Sequence, residues 1–431
     1  MRYLSTRGDT RPVSLSVALA AGLAPDGGLY VPEGLPLFRA DAFSGREPLS
    51  TLAAGLLAPF FAGDKLAAHL PLLCAESLDI PTPLRALAPR TWMLELFHGP
   101  TAAFKDFGAR FLATCLANLH PLEAAPLTVL VATSGDTGAA VAAAFHRRNG
   151  FRVVILYPHG RVSPRQAHQL GCFGDNVLAL RVAGSFDDCQ ALVKHALNDA
   201  TLKEIVPLTS ANSISLGRLL PQMSYYAQAA AAHWLAQGRR LNFVIPTGNL
   251  GNAMACVLAR ATGLPIGDIV LATNANRVLP DFFAGEDYAP RPSIATLANA
   301  MDVGAPSNFE RLRWLYRDEA TVRTMLSADY VDDAEIRDVI ANSRERYGAL
   351  VCPHTATALR VLERARARGD RRDFAVVATA HPAKFEQVIE PLIGATVELP
   401  AALSALLARP AHSEPMAADN AALRSKLVGL G

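Results

Sequence analysis

One lysine of this chain stands where its amine could become reactive. Lys105 lies in the segment His98–Gly108, between Phe104 and Phe107. A lysine amine attacks aldehydes only when desolvation or neighbouring positive charge depresses its pKa, and an apolar pocket supplies the desolvation. Lys105 is therefore a candidate for a Schiff base. Taken alone, a lysine that follows a phenylalanine near a helix start is more often a solvated surface residue, so the interpretation depends on other motifs.

A glycine-containing loop downstream has the composition of a phosphate site. Leu241–Ile245 is predicted to be a short buried strand, residues 246–252 read Pro-Thr-Gly-Asn-Leu-Gly-Asn, and Ala253–Ala261 has a helical pattern of small residues. Such a turn points successive N–H groups at an anion, and the helix N-terminus behind it adds a favourable dipole. The sequence thus predicts a phosphate-binding loop, although an ordinary strand-to-helix turn with a glycine would look similar.

The same order of elements occurs near residue 130. Leu127–Val131 is a predicted strand, and Ala139–His146 is an alanine-rich helical pattern. The loop between them carries three hydroxyl side chains: Thr133, Ser134 and Thr137. Hydroxyls beside a helix N-terminus suit a carboxylate or a second phosphate. Here too the alternative is an ordinary turn.

Composition favours an enzyme of the cytoplasm without metal. The 431 residues suggest two or three domains, and a net charge of +2 gives no reason to expect nucleic acid or membrane partners. The longest uncharged stretch, Leu219–Gly238, contains too many polar residues for a membrane span and is predicted to be a buried helix. Six widely spaced cysteines lack metal-ligand spacing, which indicates buried free thiols in a reduced compartment.

The pattern along the chain predicts an α/β protein. Residues 1–90 look like a separate helix-rich N-terminal unit. After it, strand candidates alternate with helical stretches, near residues 92–97, 127–132, 152–157, 177–182, 241–245, 268–273 and 374–379. This alternation favours two domains with parallel twisted sheets flanked by helices, which bind ligands at the carboxyl ends of their strands. We expect a large domain from residues 91–125 and 206–431, ending in a helical tail over 400–431, and a small domain over 126–205.

Four motifs in this order resemble those of threonine synthases, which are pyridoxal-phosphate enzymes of the tryptophan-synthase-β type. They are residues 104–108, 133–138, 248–252 and 379–385. Residues 3–7, 23–32 and 295–302 also look like this family, and the resemblance extends to about residue 390. It implies fold type II of the pyridoxal-phosphate enzymes, with that cofactor bound.

The resemblance also implies roles for individual residues. Lys105 would bind the cofactor as a Schiff base and, once released by the substrate, would shuttle protons. Thr379 would place a hydroxyl on the pyridine nitrogen. The cofactor phosphate would lie on the loop formed by Gly248, Asn249, Leu250, Gly251 and Asn252. Thr133, Ser134 and Thr137 would serve the substrate carboxylate.

Two further expectations follow from the same resemblance. Asp136 stands where other enzymes of this fold carry an asparagine against the phenolic oxygen of the cofactor, and a carboxylate there would repel a phenolate. Its role is therefore open. Asn212, Ser213 and Arg218, with Thr137, resemble the family's site for the γ-phosphate of O-phosphohomoserine, for which a guanidinium is well matched.

The reaction implied is the conversion of O-phospho-L-homoserine and water to L-threonine and phosphate, by a β,γ-replacement in a monomer or homodimer. Three alternatives share part of this pattern. A serine or threonine dehydratase uses the same lysine but needs no second phosphate site. An eliminating lyase would keep both anion sites. A nucleotide-binding protein would use the 248–251 loop alone and give Lys105 no covalent role.

Overall fold

Continuous apolar runs form the central strands of two parallel sheets. The strands Leu127–Ala132, Leu241–Pro246 and Phe374–Ala378 are almost wholly buried, as expected where helices cover both faces of a sheet. The computed structural model describes residues 1–8, 10–121 and 123–430. Gly431, at the end of the predicted tail, lies outside the described residues. The predicted α/β class is confirmed.

The elements follow one another in three stretches of the chain. Residues 1–119 form β1 (Tyr3–Ser5), α1 (Leu15–Ala21), β2 (Tyr30–Pro32), α2 (Leu49–Phe61), α3 (Leu70–Ser77), β3 (Leu84–Ala88), β4 (Thr91–Glu95) and α4 (Lys105–Leu119). Residues 127–237 form β5 (Leu127–Ala132), α5 (Asp136–Phe145), β6 (Phe151–Pro158), α6 (Pro164–Gly171), β7 (Val177–Ala183), α7 (Phe186–Asn198), α8 (Ala200–Ile205), β8 (Leu208–Ser210), α9 (Leu216–Leu219) and α10 (Met223–Gln237). Residues 241–428 form β9 (Leu241–Pro246), α11 (Gly251–Ala261), β10 (Ile266–Thr273), α12 (Val278–Phe283), α13 (Phe309–Tyr316), α14 (Glu319–Met325), β11 (Ser327–Tyr330), α15 (Asp333–Tyr347), α16 (Pro353–Ala367), β12 (Phe374–Ala378), α17 (Glu386–Ile393), α18 (Ala401–Leu407), β13 (Glu414–Ala417) and α19 (Asn420–Val428).

The large sheet has the strand order β11-β10-β9-β12-β4-β3. All neighbouring pairs run parallel except β3 and β4, which are antiparallel. Strand β3 therefore belongs to this sheet, although its residues fall within the range expected for the N-terminal unit. The parallel strands end at one edge, and the loops that follow β9 and β12 come together there.

The small sheet has the order β13-β7-β6-β5-β8, with every neighbouring pair parallel. The predicted assignment of residues 206–431 entirely to the large domain is wrong for two strands. Strand β8 pairs with β5 and strand β13 pairs with β7, so both complete the small sheet. Backbone pairing to exposed sheet edges decides their place, and short strands of this kind carry little hydrophobic pattern.

The C-terminal tail is only partly helical. Helices α18 and α19 flank β13, and Leu423, Leu427 and Met416 are buried in the same apolar cluster as the helix α7 residues Leu192 and Val193. The tail thus covers one face and one edge of the small sheet. Because its apolar residues are distributed over a strand and short helices, the run from residue 400 to 431 shows no single period.

The N-terminal unit is helix-rich, as expected, and packs on the rest of the chain. Strands β1 and β2 form a two-stranded antiparallel sheet, and Tyr3 is fully buried, with its hydroxyl donating to the carbonyl of Phe60. The buried Arg311 guanidinium donates to the carbonyls of Tyr30 and Ile214, which links this unit to the large sheet's helices.

Two further predictions concern the long uncharged stretch and the cysteines. Of the predicted buried helix Leu219–Gly238, residues 223–237 form α10, whose last three residues are exposed, and all six cysteines are buried free thiols. Within the described ranges, no helix is long and apolar enough to cross a bilayer, and no cluster of His, Cys, Asp and Glu side chains is arranged to hold a metal ion.

The packing of α19 generates a test of the small sheet's core. Leu427 is fully buried, whereas its neighbour Val428 is 40% exposed. We expect Leu427→Ala to lower the free energy of unfolding by about 2–4 kcal/mol, because it leaves a cavity, and the control Val428→Ala to change it by less than about 0.5 kcal/mol. Denaturant titration followed by circular dichroism measures both. Equal stability of the two variants would contradict a role for α19 in this core.

Candidate active site

A cleft with two adjoining compartments lies where the strand ends of both sheets face each other. Five residues line both compartments: Lys105, Asp136, Ser213, Asn249 and Ala300. The inner compartment is further lined by Phe104, Arg218, Thr247, Gly248, Leu250, Gly251, Asn252, His354 and Thr379. The outer compartment is further lined by Thr133, Ser134, Thr137, Lys194, Asn212 and Asp302. Every residue predicted for the site therefore borders this one cleft.

Lys105 stands at the boundary between the compartments. It is the first residue of α4, and the preceding Phe104 donates its N–H to the carbonyl of Thr379, at the end of β12. The Lys105 ammonium lies 4.7 Å from the centre of the Phe104 ring. Burial and the positive charge of Arg218 lower the pKa of Lys105 to about 8, against the opposing attraction of Asp136. Near neutral pH this amine can therefore both lose and regain a proton.

The loop after β9 presents unpaired donors to the inner compartment. Leu250, the residue before α11, has a left-handed backbone with φ of 62°, and the first N–H groups of α11 have no intrahelical acceptor. Two buried donors at this loop, Asn252 Nδ2 and Thr247 Oγ1, also have no hydrogen-bond partner among the described residues. Arg218 Nε, which has none either, belongs to α9 and lines the same compartment. Buried donors left without partners are rare and call for a ligand. The loop therefore fits a phosphate group.

Two tyrosines fix the side chain of Asn252. The hydroxyls of Tyr225 and Tyr226 both donate to Asn252 Oδ1, over 2.5 and 2.9 Å. With its oxygen occupied in this way, the amide group turns its N–H donors to the cleft. The sequence analysis missed both tyrosines, because they lie within α10, where the apolar pattern indicates only a buried helix.

Arg218 lies deep in the inner compartment. Its side chain is almost fully buried, and its Nη1 donates to the carbonyl of Ala211 over 2.6 Å. The backbone of Arg218 also lies close to Gly108 on α4. A side chain at position 108 would prevent this contact, because its Cβ would lie 2.6 Å from the carbonyl oxygen of Arg218. The expected group of Thr137, Asn212, Ser213 and Arg218 is thus divided: Thr137 and Asn212 line the outer compartment, Arg218 the inner one, and Ser213 both.

The hydroxyl loop after β5 lines the outer compartment. The Thr133 hydroxyl accepts hydrogen bonds from the N–H groups of Gly135 and Gly138, so it shapes the loop and retains one proton to donate. Gly135 has φ of 132°, which side chains other than glycine rarely adopt. Ser134 and Thr137 border the cleft beside it.

The Asn249 side chain joins the loop after β9 to Ser213 and Ser307, which lie on two other segments of the chain. Its amide nitrogen donates to Ser213 Oγ over 2.8 Å, and its oxygen accepts from the N–H of Ser307. Asn249 and Ser213 therefore hold each other at the boundary of the two compartments. Ser213 also lies beside Gly251, where a Cβ would come within 3.6 Å of it.

Asp136 is paired with a buried lysine. Lys384 Nζ lies 2.8 Å from Asp136 Oδ1, and Gln166 Nε2 donates to the same oxygen over 3.0 Å. Burial raises the pKa of Asp136, but the attraction of Lys384, a smaller one of His354 and these hydrogen bonds outweigh it, so the net pKa lies below its ordinary value. Asp136 therefore faces the cleft as a carboxylate.

Two further titratable groups of the cleft were not predicted. His354 Nε2 accepts the N–H of Ala300 over 3.1 Å, and burial lowers the pKa of this imidazole to about 4, so the ring is neutral. Burial raises the pKa of Asp302 to about 7, although Thr296 and Asn274 donate to its carboxyl group. His354 follows no strand and lies in no recognisable motif. Asp302, in contrast, is the last residue of the segment 295–302, which resembles the family.

The class of protein follows from this geometry and from comparison with known proteins. A desolvated lysine beside a phosphate loop, at the strand ends of a parallel sheet, is the arrangement that a pyridoxal-phosphate enzyme requires. Residues 76–382 match the family model described as "Pyridoxal-phosphate dependent enzyme". The chain belongs to this class, and the predicted cofactor, pyridoxal phosphate, is confirmed.

Within this class the chain belongs to the threonine synthase family. Residues 2–78 match the model "Threonine synthase N terminus", and residues 355–427 match "Threonine synthase, C-terminal". The chain is 37% identical over 432 residues to threonine synthase from Serratia marcescens, with 100% of both chains covered.

Solved structures agree with this membership. The crystal structure of threonine synthase from Escherichia coli is 36% identical, with a TM-score of 0.93 and 100% of both chains covered. The structure of PLP-bound threonine synthase from Brucella melitensis is 34% identical, with a TM-score of 0.90, and the match covers 100% of this chain and 99% of that one. The predicted family and the fold type II architecture are confirmed.

The environment of Lys105 generates a prediction about pH. Because the pKa of Lys105 is lowered to about 8, its neutral amine is abundant above this value and scarce below it. In the cofactor-free protein, the labelling rate of Lys105 by acetic anhydride should rise through an inflection near pH 8. Peptide mass spectrometry measures the rate, with the exposed Lys65 as internal control. A Lys105 profile that follows the Lys65 profile over the whole range would contradict the lowered pKa.

Proposed function

We propose that this chain converts O-phospho-L-homoserine and water to L-threonine and inorganic phosphate, by a pyridoxal-phosphate-dependent β,γ-replacement. The observation that carries the proposal is the position of Lys105 between two compartments, each with the N-terminus of a helix in its wall. A substrate with both a carboxylate and a phosphate, and a cofactor with a phosphate of its own, require several such anion sites around one amine.

The inner compartment is the proposed cofactor site. The N–H groups of residues 248–252 and the amide of Asn252 would hold the cofactor phosphate, and Lys105 would bind its aldehyde carbon. The Thr379 hydroxyl would face the pyridine nitrogen. When bound, pyridoxal phosphate withdraws electrons from the carbon atoms next to the substrate amine. The unpartnered donors of the loop support this assignment.

Lys105 would then act as the proton carrier of the reaction. After the substrate amine displaces it, its Nζ can take the proton from the α carbon and exchange protons at the β and γ carbons. An amine with a pKa of about 8 suits both directions of transfer near neutral pH. Phe104 and the buried walls of the inner compartment would limit the access of water to this amine until water adds at the β carbon.

The substrate is proposed to lie across the two compartments. Ser134 and Thr137, with the remaining proton of the Thr133 hydroxyl, would bind the α-carboxylate at the N-terminus of α5. Asn212, Ser213 and Arg218 would bind the γ-phosphate and stabilise the charge that grows on it as it departs. The unpartnered Nε of Arg218 supports this role, but it fits the cofactor phosphate equally well because Arg218 lines the inner compartment.

Product analysis tests the reaction. The purified protein, loaded with pyridoxal phosphate and given O-phospho-L-homoserine, should release threonine and phosphate in equal amounts. Lys105→Ala should abolish both products, together with the absorption band of the lysine-bound cofactor, because it removes the amine that binds the cofactor and carries the protons. Phosphate released with 2-oxobutyrate and no threonine would instead establish an eliminating lyase. If neither threonine nor phosphate is released, a dehydratase becomes the favoured alternative.

A second variant decides the role of Arg218. We expect Arg218→Leu in the loaded enzyme to raise the KM for O-phospho-L-homoserine by about ten- to a hundredfold, because a charge-assisted contact worth about 1.5–3 kcal/mol is lost. The Kd for pyridoxal phosphate, from a spectroscopic titration of the same variant, should stay within about threefold of the wild-type value, as for a residue that does not contact the cofactor. The opposite pattern, with a weaker cofactor and an unchanged KM, would assign Arg218 to the cofactor phosphate.

We also propose that the protein works in the cytoplasm as a monomer or homodimer. The six buried free thiols fit a reduced compartment. Size-exclusion chromatography with light scattering determines the oligomeric state.

A further inference from the structure

A buried ion pair crosses from the large sheet's domain to the small one at the cleft. Lys384 lies in the short turn Pro382–Phe385 that follows β12, and Asp136 is the first residue of α5. The Lys384 side chain is 0% exposed, and its ammonium donates to the carbonyl of Thr101 over 2.7 Å as well as to Asp136. The proposed function gives Lys384 no role.

Such a pair is costly to bury, so its position requires an explanation. Removing two charges from water costs several kcal/mol per ion, and a well-packed apolar pair is often as stable. Asp136 lines both compartments next to Lys105, and its carboxylate pulls the pKa of Lys105 upward, against Arg218. A charge that acts on the reactive amine has a function beyond packing.

The groups around the pair leave Lys384 as the main counter-charge of Asp136. His354 also faces Asp136, but its ring is neutral, and the Cys352 thiol nearby is buried with a raised pKa. Asp106 also lies near Lys384, but its carboxylate is engaged by the N–H and hydroxyl of Thr101, over 2.9 and 2.6 Å. Without Lys384, an Asp136 carboxyl at this depth would take up a proton.

We propose that Lys384 is a positioning residue of the reaction: it keeps Asp136 ionised and directed at the cleft, and so sets the charge beside the nitrogen of Lys105. This proposal rests on the proposed function for its cofactor. The pairing also explains how the Asp136 carboxylate could lie near the phenolic oxygen of the cofactor, because the Lys384 ammonium offsets part of its negative charge.

The proposal predicts how substitutions shift the pH titration of the lysine-bound cofactor. Asp136→Asn removes a negative charge next to the Lys105 nitrogen, so the apparent pKa of the absorption band should fall by about one unit or more. Lys384→Met should also cause a fall, because Asp136 then becomes neutral, but a smaller one than Asp136→Asn, which leaves the positive charge of Lys384 in place. The double variant Lys384→Met/Asp136→Asn should show no further fall. Lys426→Met is the control, since Lys426 lies on α19 and pairs with Glu414 on the surface.

Absorbance measured against pH on the four holoenzymes and the wild type provides the test. A pKa that stays unchanged or rises in Lys384→Met would overturn the proposal, because Asp136 would then remain ionised without Lys384. Should Lys384→Met fail to fold, recovery of folding in the double variant would support Lys384 as the counter-charge of Asp136, because the double variant buries no unpaired charge. A double variant that fails to fold where Asp136→Asn folds would make Lys384 a packing residue. A wild-type protein without the band would contradict the proposed function itself, and this proposal with it.

Discussion

The site depends on the partial desolvation of one amine, that of Lys105, and on neighbouring charges that limit the free-energy cost of burying its positive charge. Lys105 begins a helix whose next turns are packed in the core, so its amine is desolvated from behind and reaches solvent only through the cleft. Arg218 and Asp136 then act on it in opposite directions, and the balance leaves its pKa near the pH at which a proton carrier must work. Removing either neighbour would move the amine away from this range, in opposite senses.

The fold brings these charged groups together because helices from both domains meet at the cleft. Each sheet ends in a loop that opens a helix N-terminus on the cleft, α11 from the large sheet and α5 from the small one. Helix α4, which carries Lys105, packs against α5 of the small domain. The partial positive charges of both helix N-termini therefore face the same space, which favours the proposed binding of cofactor and substrate anions close together.

Sequence patterns predicted the elements that carry long apolar runs and the loops that contain glycine. The central strands were found because buried parallel strands have a strong local signature, and the 248–252 loop and Lys105, singled out by their local patterns, line the cleft. Strands β8 and β13 were assigned to the wrong domain, because three or four residues at a sheet edge are placed by pairing rather than by their own hydrophobicity. His354 and the two tyrosines that hold Asn252 were missed for a related reason: their contacts come from distant parts of the chain.

The contact between Lys384 and Asp136 could not be predicted from the motifs that contain these residues. Its segment, residues 379–385, was recognised because of its order along the chain, and Asp136 was recognised in another segment, where a carboxylate seemed out of place. Neither segment indicated that the two side chains meet, since the contact spans the two domains and about 250 positions in sequence. A buried carboxylate at Asp136 needs the paired ammonium of Lys384 on the facing domain. The aspartate in one motif, where related enzymes carry an asparagine, and the lysine in the other therefore act as one unit. The charge that acts on Lys105 is consequently complete only when the two domains are packed together, which couples the assembly of the cleft to the reactivity of its amine.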